Sequence, residues 1–305
     1  MKSLCLKIAY YACEKTDNEK SSKNNIIQKI WYNGLKLLCV IFLELYIKIK
    51  YLFGYHVKSL NPNCGPVVSM TSFPARINKL WFVIDSIFSQ TLKPSKIILV
   101  LTNEEFPNGL NSIPNNLKQF MQYGLEIVFV DYNLRPHNKY YYALSHISDR
   151  DVVTLDDDLY YWPDTIKRLY DLKDKNPCCI YSNRVLKITY STEKVIYSNV
   201  HNIKGLNIMA QGVGGVLYPH FFRPQGLFDK KVICDYCICN DDNWLRMHET
   251  IQKVDVVSGN NYPHPLKLLY SQKITLAQKN TGEERSNKVS KMLIEHYNLQ
   301  EYFKG

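Results

Sequence analysis

Asp151-Val-Val-Thr-Leu-Asp-Asp-Asp-Leu-Tyr-Tyr-Trp162 is the stretch that decides the fold of this chain. Its β-branched and apolar start predicts a short buried strand over residues 152–155, and three consecutive carboxylates follow it at positions 156–158. Aspartate is rarely buried without a partner, and three adjacent negative charges repel one another. A divalent cation would relieve this repulsion and use the oxygens as ligands. The simpler interpretation is a solvated turn before a helix that starts near Asp164.

Strands and helices alternate along the chain upstream of the three carboxylates. Buried strands are predicted to start at residue 67 and to cover residues 96–102, 125–131 and 152–155, with helices between them over residues 77–90, 115–123 and 140–147. This alternation is typical of βαβ units and predicts an α/β fold with a mainly parallel central sheet. Ligands of open α/β sheets bind beyond the carboxyl ends of the strands, which is where the carboxylates stand.

The pattern becomes antiparallel beyond this region. Residues 180–182 and 185–190 predict strands, and Gln211-Gly-Val-Gly-Gly-Val-Leu-Tyr-Pro219 joins several glycines to a short apolar strand. No helix start follows these glycines, so they do not form a dinucleotide-binding fingerprint. We expect Gly214 and Gly215 to let the backbone approach a ligand closely.

A second acidic pair stands in Asn240-Asp-Asp-Asn-Trp-Leu-Arg-Met-His248, at a predicted helix start. Asp241 and Asp242 have two interpretations there. Either carboxylate can simply cap the helix and complement its dipole. Alternatively, one of them takes part in the chemistry of the site.

Residues 1–60 differ in character from the rest of the chain. Lys36-Leu-Leu-Cys-Val-Ile-Phe-Leu-Glu-Leu-Tyr-Ile-Lys48 is strongly apolar, but it is shorter than the roughly 20 residues that span a bilayer. It also lies too far from the N-terminus to be a signal peptide. Two interpretations stay open: a helix in the membrane interface with basic flanks, or a helix packed on the main domain. We therefore predict a basic helical segment over residues 1–60 and the main domain over residues 61–305.

Composition narrows the classes of partner. The chain has 305 residues, 46% of them hydrophobic, and a formal charge of +10, which suits anionic partners such as nucleotides or phospholipid surfaces. It lacks zinc-finger spacing, an RNA-recognition signature and long Lys/Arg runs, so nucleic acid is not an expected partner. The nine cysteines include one C-x-x-C, Cys234-Asp-Tyr-Cys237, without a second pair at zinc-ribbon spacing. Reduced thiols of a cytosolic protein are the preferred interpretation.

Four segments in this order resemble the GT-A glycosyltransferases, in particular the bacterial family-two-like enzymes, over about residues 66–250. Val67-Val-Ser-Met-Thr-Ser72 is similar to their first strand and nucleotide loop, and Leu155-Asp-Asp-Asp158 is similar to their D-x-D metal motif. Gly212-Val-Gly-Gly-Val-Leu-Tyr218 resembles the acceptor-side strand, and Asp241-Asp-Asn-Trp-Leu245 resembles the motif that supplies the catalytic base. The second strand ends in Leu101-Thr-Asn-Glu104, without the family's usual acidic residue, which leaves the nucleotide open.

The resemblance implies a GT-A, Rossmann-like single domain, to which the N-terminal helical segment is added. It implies metal-dependent transfer of a sugar from a nucleotide-sugar donor to a hydroxyl of a glycan or lipid-linked acceptor, in the cytoplasm or at the inner face of the membrane. Mn²⁺ or Mg²⁺ would be held by Asp158 and Asp156 and would stabilise the leaving diphosphate. Asp242, or Asp241 as second choice, would take the proton from the acceptor. A single displacement by that acceptor inverts the anomeric carbon.

The remaining residues implied by the resemblance fall on the two sides of the reacting sugar. The nucleotide-sugar side comprises Thr71, Ser72, Arg76, Asp131, Lys139, Asp156 and Asp157. The acceptor side comprises Gly214, Gly215 and Trp244. For Arg76 and Lys139, a solvated surface position is the alternative to contact with phosphates.

Three other functions remain to be weighed against sugar transfer. Paired carboxylates also serve glycoside hydrolases, but three adjacent aspartates at one strand end suit a metal better. A nucleotidyltransferase would share the sheet and the metal, although Thr71-Ser-Phe-Pro-Ala-Arg76 lacks the glycines expected of its first loop. The non-enzymatic alternative is a basic module that binds nucleotides or glycans at a membrane surface.

Overall fold

The apolar runs predicted as strands form the central sheet of the protein. The computed structural model describes residues 2–18, 26–54, 56–269 and 282–304. The strands in these residues are β1 (Val67–Thr71), β2 (Lys96–Thr102), β3 (Leu125–Val130), β4 (Val152–Thr154), β5 (Leu159–Tyr160), β6 (Ile180–Ser182), β7 (Val185–Tyr190), β8 (Val195–Val200), β9 (Ile203–Gly205), β10 (Ile208–Ala210), β11 (Val216–Tyr218), β12 (Val256–Ser258) and β13 (Leu266–Lys267).

The main sheet has eight strands in the order β3-β2-β1-β4-β11-β6-β12-β9. Strands β3, β2, β1 and β4 are mutually parallel, as are β6 and β12, whereas β11 and β9 run antiparallel to their neighbours. The prediction of a mainly parallel sheet is therefore confirmed. Because β11 runs opposite to β4, the glycine-rich residues 212–215 that precede it lie at the carboxyl edge of β4, next to the three aspartates.

Helices cover the sheet and connect its strands. Those in the described residues are α1 (Lys2–Asn18), α2 (Ile26–Leu52), α3 (Pro74–Ile77), α4 (Leu80–Phe88), α5 (Asn115–Lys118), α6 (Asn138–His146), α7 (Thr165–Lys175), α8 (Lys230–Val232), α9 (Asp241–Ile251), α10 (Gly282–His296) and α11 (Gln300–Phe303). Two small antiparallel sheets, β10-β7-β8 and β13-β5, complete the fold.

Two predicted helices differ in extent from the observed ones. The helix expected over residues 77–90 is the shorter α4 over residues 80–88, and Ile77 instead ends α3, a separate helix that starts at Pro74, whose ring fits a first helical turn. The helix expected over residues 115–123 is the short α5 followed by a 3₁₀ turn. That turn ends at Gly124, whose φ of 119° favours glycine.

The N-terminal helices α1 and α2 have two different faces. Ala9, Leu43 and Ile47 are at most 1% exposed and share one hydrophobic cluster with the sheet and with α4. The packed-helix interpretation of the N-terminal segment is therefore correct for one face. The opposite face of α2 carries large exposed apolar side chains. They are Ile27, Ile30, Trp31, Leu37, Leu38, Ile41, Phe42, Leu45, Ile49 and Leu52.

No helix within the described residues combines the length and the apolar character that a membrane span requires. The shared hydrophobic cluster joins α1 and α2 to the main domain. The division of the chain at residue 60 stays a prediction.

A buried carboxylate on α4 also ties the N-terminal helices to the domain. Asp85 is completely buried, and Lys2 of α1 and Lys50 of α2 place their ammonium groups 2.9 and 3.4 Å from its oxygens. The hydroxyls of Tyr51 and Tyr160 donate to the same carboxylate. Burial alone would raise the pKa of Asp85, but Lys2 and Lys50 lower it below its ordinary value.

Candidate active site

The three adjacent aspartates lie in the loop between β4 and β5, at the carboxyl edge of the parallel strands. The backbone N–H of Asp156 donates to the hydroxyl of the buried Tyr161 over 2.7 Å, which fixes the start of the loop. The side chains of Asp156 and Asp158 are 29% and 22% exposed, while that of Asp157 is 8% exposed. Two carboxylates therefore remain accessible from this edge of the sheet, and the one between them is buried.

The loop after β1 holds the buried carboxylate in place. Ser72 donates a 2.7 Å hydrogen bond from its hydroxyl to Asp157, and Arg76 donates to the other oxygen of the same carboxylate. A second guanidinium nitrogen of Arg76 lies 3.2 Å from Asp158. Ser72 thus contacts Asp157, and Arg76 contacts both Asp157 and Asp158. The side chain of Arg76 is 13% exposed, so it is not a solvated surface residue.

Lys139, at the start of α6, links the two acidic motifs of the chain. Its ammonium group lies 2.8 Å from Asp156 and also 2.8 Å from Asp241. Its side chain is only 7% exposed, which excludes the solvated alternative. Burial alone would lower the pKa of Lys139, but Asp156, Asp241 and Asp242 raise it well above its ordinary value. The lysine therefore stays charged and neutralises the centre of the site.

Asp241 and Asp242 begin α9 but differ in their environments. Burial alone would raise the pKa of Asp241, but Lys139 and His137 lower it below its ordinary value. Burial and the neighbouring charge of Asp241 raise the pKa of Asp242 well above its ordinary value. One carboxylate is thus a fixed anion, and the other binds a proton much more readily.

Gly212 lies among the charged groups of both motifs. Its backbone N–H donates a 3.1 Å hydrogen bond to Asp242. A Cβ at this position would meet Lys139 Nζ at 2.9 Å, Asp242 Oδ1 at 3.3 Å and Asp156 Oδ1 at 3.5 Å. The absence of a side chain therefore leaves space between the carboxylate that follows β4 and the carboxylate that begins α9.

The three residues assigned to the acceptor side approach protein groups instead. A Cβ on Gly214 would meet Arg184 at 2.9 Å, and one on Gly215, whose φ is 82°, would meet Leu155 at 2.9 Å. Trp244 is completely buried, and its indole N–H donates to the carbonyl of Leu227. The glycines pack the loop and the indole anchors α9, so their proposed contact with an acceptor stays a prediction.

Two residues assigned to the nucleotide side lie at the ends of β1 and β3, the strands on either side of β2. Thr71 donates from its hydroxyl to the carbonyl of Val100 over 2.8 Å, which ties the end of β1 to β2. Asp131 follows β3 and accepts a 2.6 Å hydrogen bond from Asn103, which follows β2. Asp131 is exposed, and no contact with Lys139 or Arg76, the cations of the site, is seen for it within the described residues. Its role in nucleotide binding stays a prediction.

The accessible aspartates have the chemistry of a partial metal site. Burial, followed by the charge of Asp156, raises the pKa of Asp158 to about 6, so a nearby cation would stabilise its ionised form. Asp156 and Asp158 supply hard oxygen ligands of the kind that Mn²⁺ and Mg²⁺ take. No group of three or more His, Cys, Asp or Glu side chains in the described part of the chain is arranged to hold a metal ion. The residues present therefore fit a cation that takes its remaining ligands from substrate or water.

Reasoning from the sequence missed three residues that shape this site. Gly212 was considered only as part of the glycine-rich motif, and Tyr161 only as part of the stretch Asp151–Trp162. His137 is buried: its Nε2–H donates to the carbonyl of Cys237, and its Nδ1 accepts from Tyr140.

The cysteines form no second site among the described residues. All nine are free, and of the C-x-x-C pair Cys234 is exposed while Cys237 is buried. Burial raises the pKa of the Cys237 thiol to about 12, which leaves it protonated at neutral pH.

Comparison with known proteins identifies the family. The sequence model described as glycosyl transferase family 2 matches residues 71–237, which is more than half of the chain. No curated protein matches the chain.

Solved structures with a similar fold are distant in sequence. Residues 1–349 of TarS from S. aureus are 13% identical with a TM-score of 0.40, and the match covers 64% of this chain and 58% of that one. The mannosyltransferase PcManGT from Pyrobaculum calidifontis, in complex with GDP-Man and Mn²⁺, is 12% identical with a TM-score of 0.39, covering 83% and 66%. The inositol-1-phosphate CTP transferase from T. maritima is 8% identical with a TM-score of 0.41, covering 79% and 98%. The chain spans less than two thirds of each of the first two.

Proposed function

The chain belongs to glycosyl transferase family 2 and is a glycosyltransferase with a GT-A fold, and from this premise we propose its mechanism. It transfers a sugar from a nucleotide-sugar donor to an acceptor hydroxyl, uses a divalent metal and inverts the anomeric carbon. The observation that carries this proposal is the position of Lys139 between Asp156 and Asp241. That contact joins the carboxylates of the donor side and of the acceptor side in one charged centre.

The donor side of the proposed site consists of the loop after β1 and the aspartates after β4. Asp156 and Asp158 would hold Mn²⁺ or Mg²⁺, which when bound stabilises the negative charge of the leaving diphosphate. Arg76 and Lys139 lie against the same carboxylates and supply positive charge beside the phosphates. Ser72 and Arg76 hold Asp157 so that its neighbours keep their orientation.

The acceptor side is proposed to use Asp242 as general base. A base must be ionised to accept a proton, and it accepts one more readily when its pKa lies closer to the pH of the reaction. Burial and the charge of Asp241 raise the pKa of Asp242, whereas Lys139 and His137 lower that of Asp241. Asp242 is therefore the stronger base of the two. A single base opposite the leaving group gives one displacement and hence inversion.

The acceptor is proposed to be a glycan or a lipid-linked molecule reached at a membrane surface. Large apolar side chains are exposed on α2 from Ile27 to Leu52, and Glu44, the one acidic residue in residues 26–54, is 4% exposed. Such a helix lies in the interface of a bilayer without crossing it. Lys48, which is exposed beside this face, would meet anionic headgroups.

A donor panel tests the proposed function. Purified full-length protein is mixed with UDP-, GDP- and CDP-sugars with and without Mn²⁺, and its melting temperature is measured, since a specific ligand stabilises the native state. We expect one nucleotide class to raise the melting temperature in the presence of Mn²⁺, and we expect metal-dependent release of its sugar. A protein that binds the donor but never cleaves it would be a binding module, and the proposal would be wrong.

A further inference from the structure

A cavity of about 810 Å³ lies between α1 and the main domain, away from the carboxylates of the active site. We propose that this cavity binds a lipid whose headgroup carries a phosphate. Its walls come from α1, from the chain just after α2, from the end of α4 and from residues 160–164. The proposal does not depend on sugar transfer, because none of the charged residues assigned to the reaction lines the cavity. Tyr161 lines it and contacts the active site through the backbone N–H of Asp156.

The charge of the cavity favours an anion. Four lysines line it, Lys2, Lys7, Lys58 and Lys93, against one carboxylate, Asp164. These groups sum to a charge of +3, from four positive charges and one negative charge, and counting Asp85, which pairs with Lys2, leaves +2. Lys7 and Lys58 are exposed and form no ion pair with the carboxylates of the described residues. Two ammonium groups are thus available to a phosphate.

The positive charges of these lysines also repel one another. Burial lowers the pKa of Lys93, and the charges of Lys2 and Lys58 lower it further. A bound anion would relieve this repulsion. The ammonium group of Lys93 donates to the carbonyl of Phe88 and so lies at the wall of the cavity.

The walls between the lysines suit an acyl chain. Leu6, Val57, Phe88 and Trp162 line the cavity, and the accessible wall of the cavity is more apolar than polar. A free phosphate ion would leave these apolar surfaces uncovered, whereas a hydrocarbon chain removes them from water. The combination of apolar walls and ammonium groups therefore favours an amphiphile over an inorganic anion.

The mouth of the cavity adjoins the apolar surface of α1. Ser3, Lys7 and Tyr10 line the cavity, and the residue that follows each of them is Leu4, Ile8 or Tyr11, which are 63%, 37% and 50% exposed. One residue is about 100° of rotation around a helix, so the two rows occupy adjacent faces of α1. A lipid can therefore enter from a surface that contacts the apolar row and place its headgroup among the lysines.

Calorimetry with soluble lipids tests the proposal on the full chain. The probe is dihexanoyl phosphatidic acid below its micelle concentration, compared with dihexanoyl phosphatidylcholine and with inorganic phosphate at equal ionic strength. We expect saturable binding of the phosphatidic acid alone. No bilayer is present, so the result is independent of membrane docking.

Two variants and one matched control locate the binding. Lys7→Ala/Lys58→Ala should weaken it about 25-fold, from roughly fivefold for each lysine. Ser3→Trp should abolish it, because the exposed serine at the mouth is replaced by a bulky side chain without a change of charge. Lys194→Ala/Lys231→Ala removes two exposed lysines elsewhere and should leave binding unchanged. Circular dichroism checks that each variant folds.

Three results would overturn the proposal. Equal affinity for inorganic phosphate would mean that the apolar walls contribute nothing. Equal losses in the two double-lysine variants would mean diffuse attraction to a basic protein. Unchanged binding by Ser3→Trp would place the lipid outside the cavity.

Discussion

The ammonium group of Lys139 lies 2.8 Å from the carboxylate of Asp241, although the two residues are 102 positions apart, 241 minus 139. The contact joins the start of α6 to the start of α9 in a nearly water-free environment, because Lys139 and Asp241 are 7% and 12% exposed. The same lysine contacts Asp156. One positive charge therefore holds together carboxylates that would repel one another without it.

Removal of this charge should cost stability. Lys139→Gln leaves buried carboxylates unpaired, and we expect the free energy of unfolding to fall by about 3 kcal/mol, the usual scale for a broken buried ion pair. Urea denaturation at neutral pH measures it. Lys96→Gln is the matched control, since Lys96 pairs with Glu126 at the surface, where each is at least 40% exposed. That variant should lose less than about 1 kcal/mol. Equal losses would mean that the buried contacts of Lys139 add nothing.

The Asp242→Asn substitution separates catalysis from folding. The amide oxygen can still accept from the N–H of Gly212, so we expect the fold and the donor affinity to be kept. Turnover should fall by about 10²-fold or more, the scale of general base catalysis. Asp241→Asn should reduce turnover by a smaller factor than Asp242→Asn. If Asp241→Asn alone is inactive, the base is Asp241, and if both variants stay active, the pair only caps α9.

The activity of the wild type should depend on pH in a direction set by the same residue. Burial and Asp241 raise the pKa of Asp242 well above its ordinary value. A general base works in its ionised form, so kcat/KM should rise with pH and level off above that raised pKa. The acid limb should disappear in the residual activity of Asp242→Asn. A limb that persists in this variant would assign the titration to another group.

Much of the fold followed from the sequence because local patterns determine it. The four parallel strands follow from runs of β-branched and other apolar residues. The three carboxylates come directly after the fourth of these runs. The contact of Lys139 with Asp241 did not follow, because it joins the starts of two helices that lie far apart in the sequence. No pattern within a short window contains that information.

Side-chain direction was the second feature that the sequence did not supply. Trp244, which was assigned to the acceptor side, lies in the core three residues beyond Asp241 on the same helix, and its contact with an acceptor stays a prediction. For α2, hydropathy left open a packed helix and a surface helix. The structure shows one buried and one exposed face, and only tertiary contacts determine which residues belong to each.

The metal proposal predicts a specific effect of Asp158. Asp158→Asn removes a charged ligand, so Mn²⁺ should no longer raise the melting temperature with donor present, and transfer should be lost. Chelation should inactivate the wild type, and Mn²⁺ or Mg²⁺ should restore it. Asp171→Asn is the control, because Asp171 is exposed and pairs only with Lys167 among the described residues. Full activity in excess chelator would contradict a metal role.

Asp85 should make the attachment of the N-terminal helices sensitive to acid. Its folded-state pKa is lowered by Lys2 and Lys50, so its contribution to stability is present above its unfolded pKa of about 3.9 and is lost as pH falls through the folded value. We expect Asp85→Asn to lower the free energy of unfolding by about 3 kcal/mol at pH 7. The difference from the wild type should shrink below about pH 4. A difference that is constant from pH 7 to pH 3 would show that charge is not its cause.

The apolar face of α2 gives the last prediction, which concerns the membrane. Deletion of residues 1–60 is a poor test, because it would also expose the part of the hydrophobic core that Leu43 and Ile47 cover. Leu38→Asp/Leu45→Asp changes only side chains that are 64% and 54% exposed, so the fold should survive. Binding to vesicles that contain anionic lipid should weaken on the order of 100-fold, since burying each leucine contributes about 1.5 kcal/mol.

Cosedimentation with vesicles at low salt measures this loss, and high salt should reduce only the part due to lysines. Ile196→Asp is the matched control, because Ile196 is 43% exposed on β8, outside the N-terminal helices. It should bind vesicles like the wild type. If the wild type ignores anionic vesicles, or if Ile196→Asp loses binding as fully as the α2 variant, the exposed face of α2 does not dock to a membrane. Its apolar residues would then have to contact another protein surface.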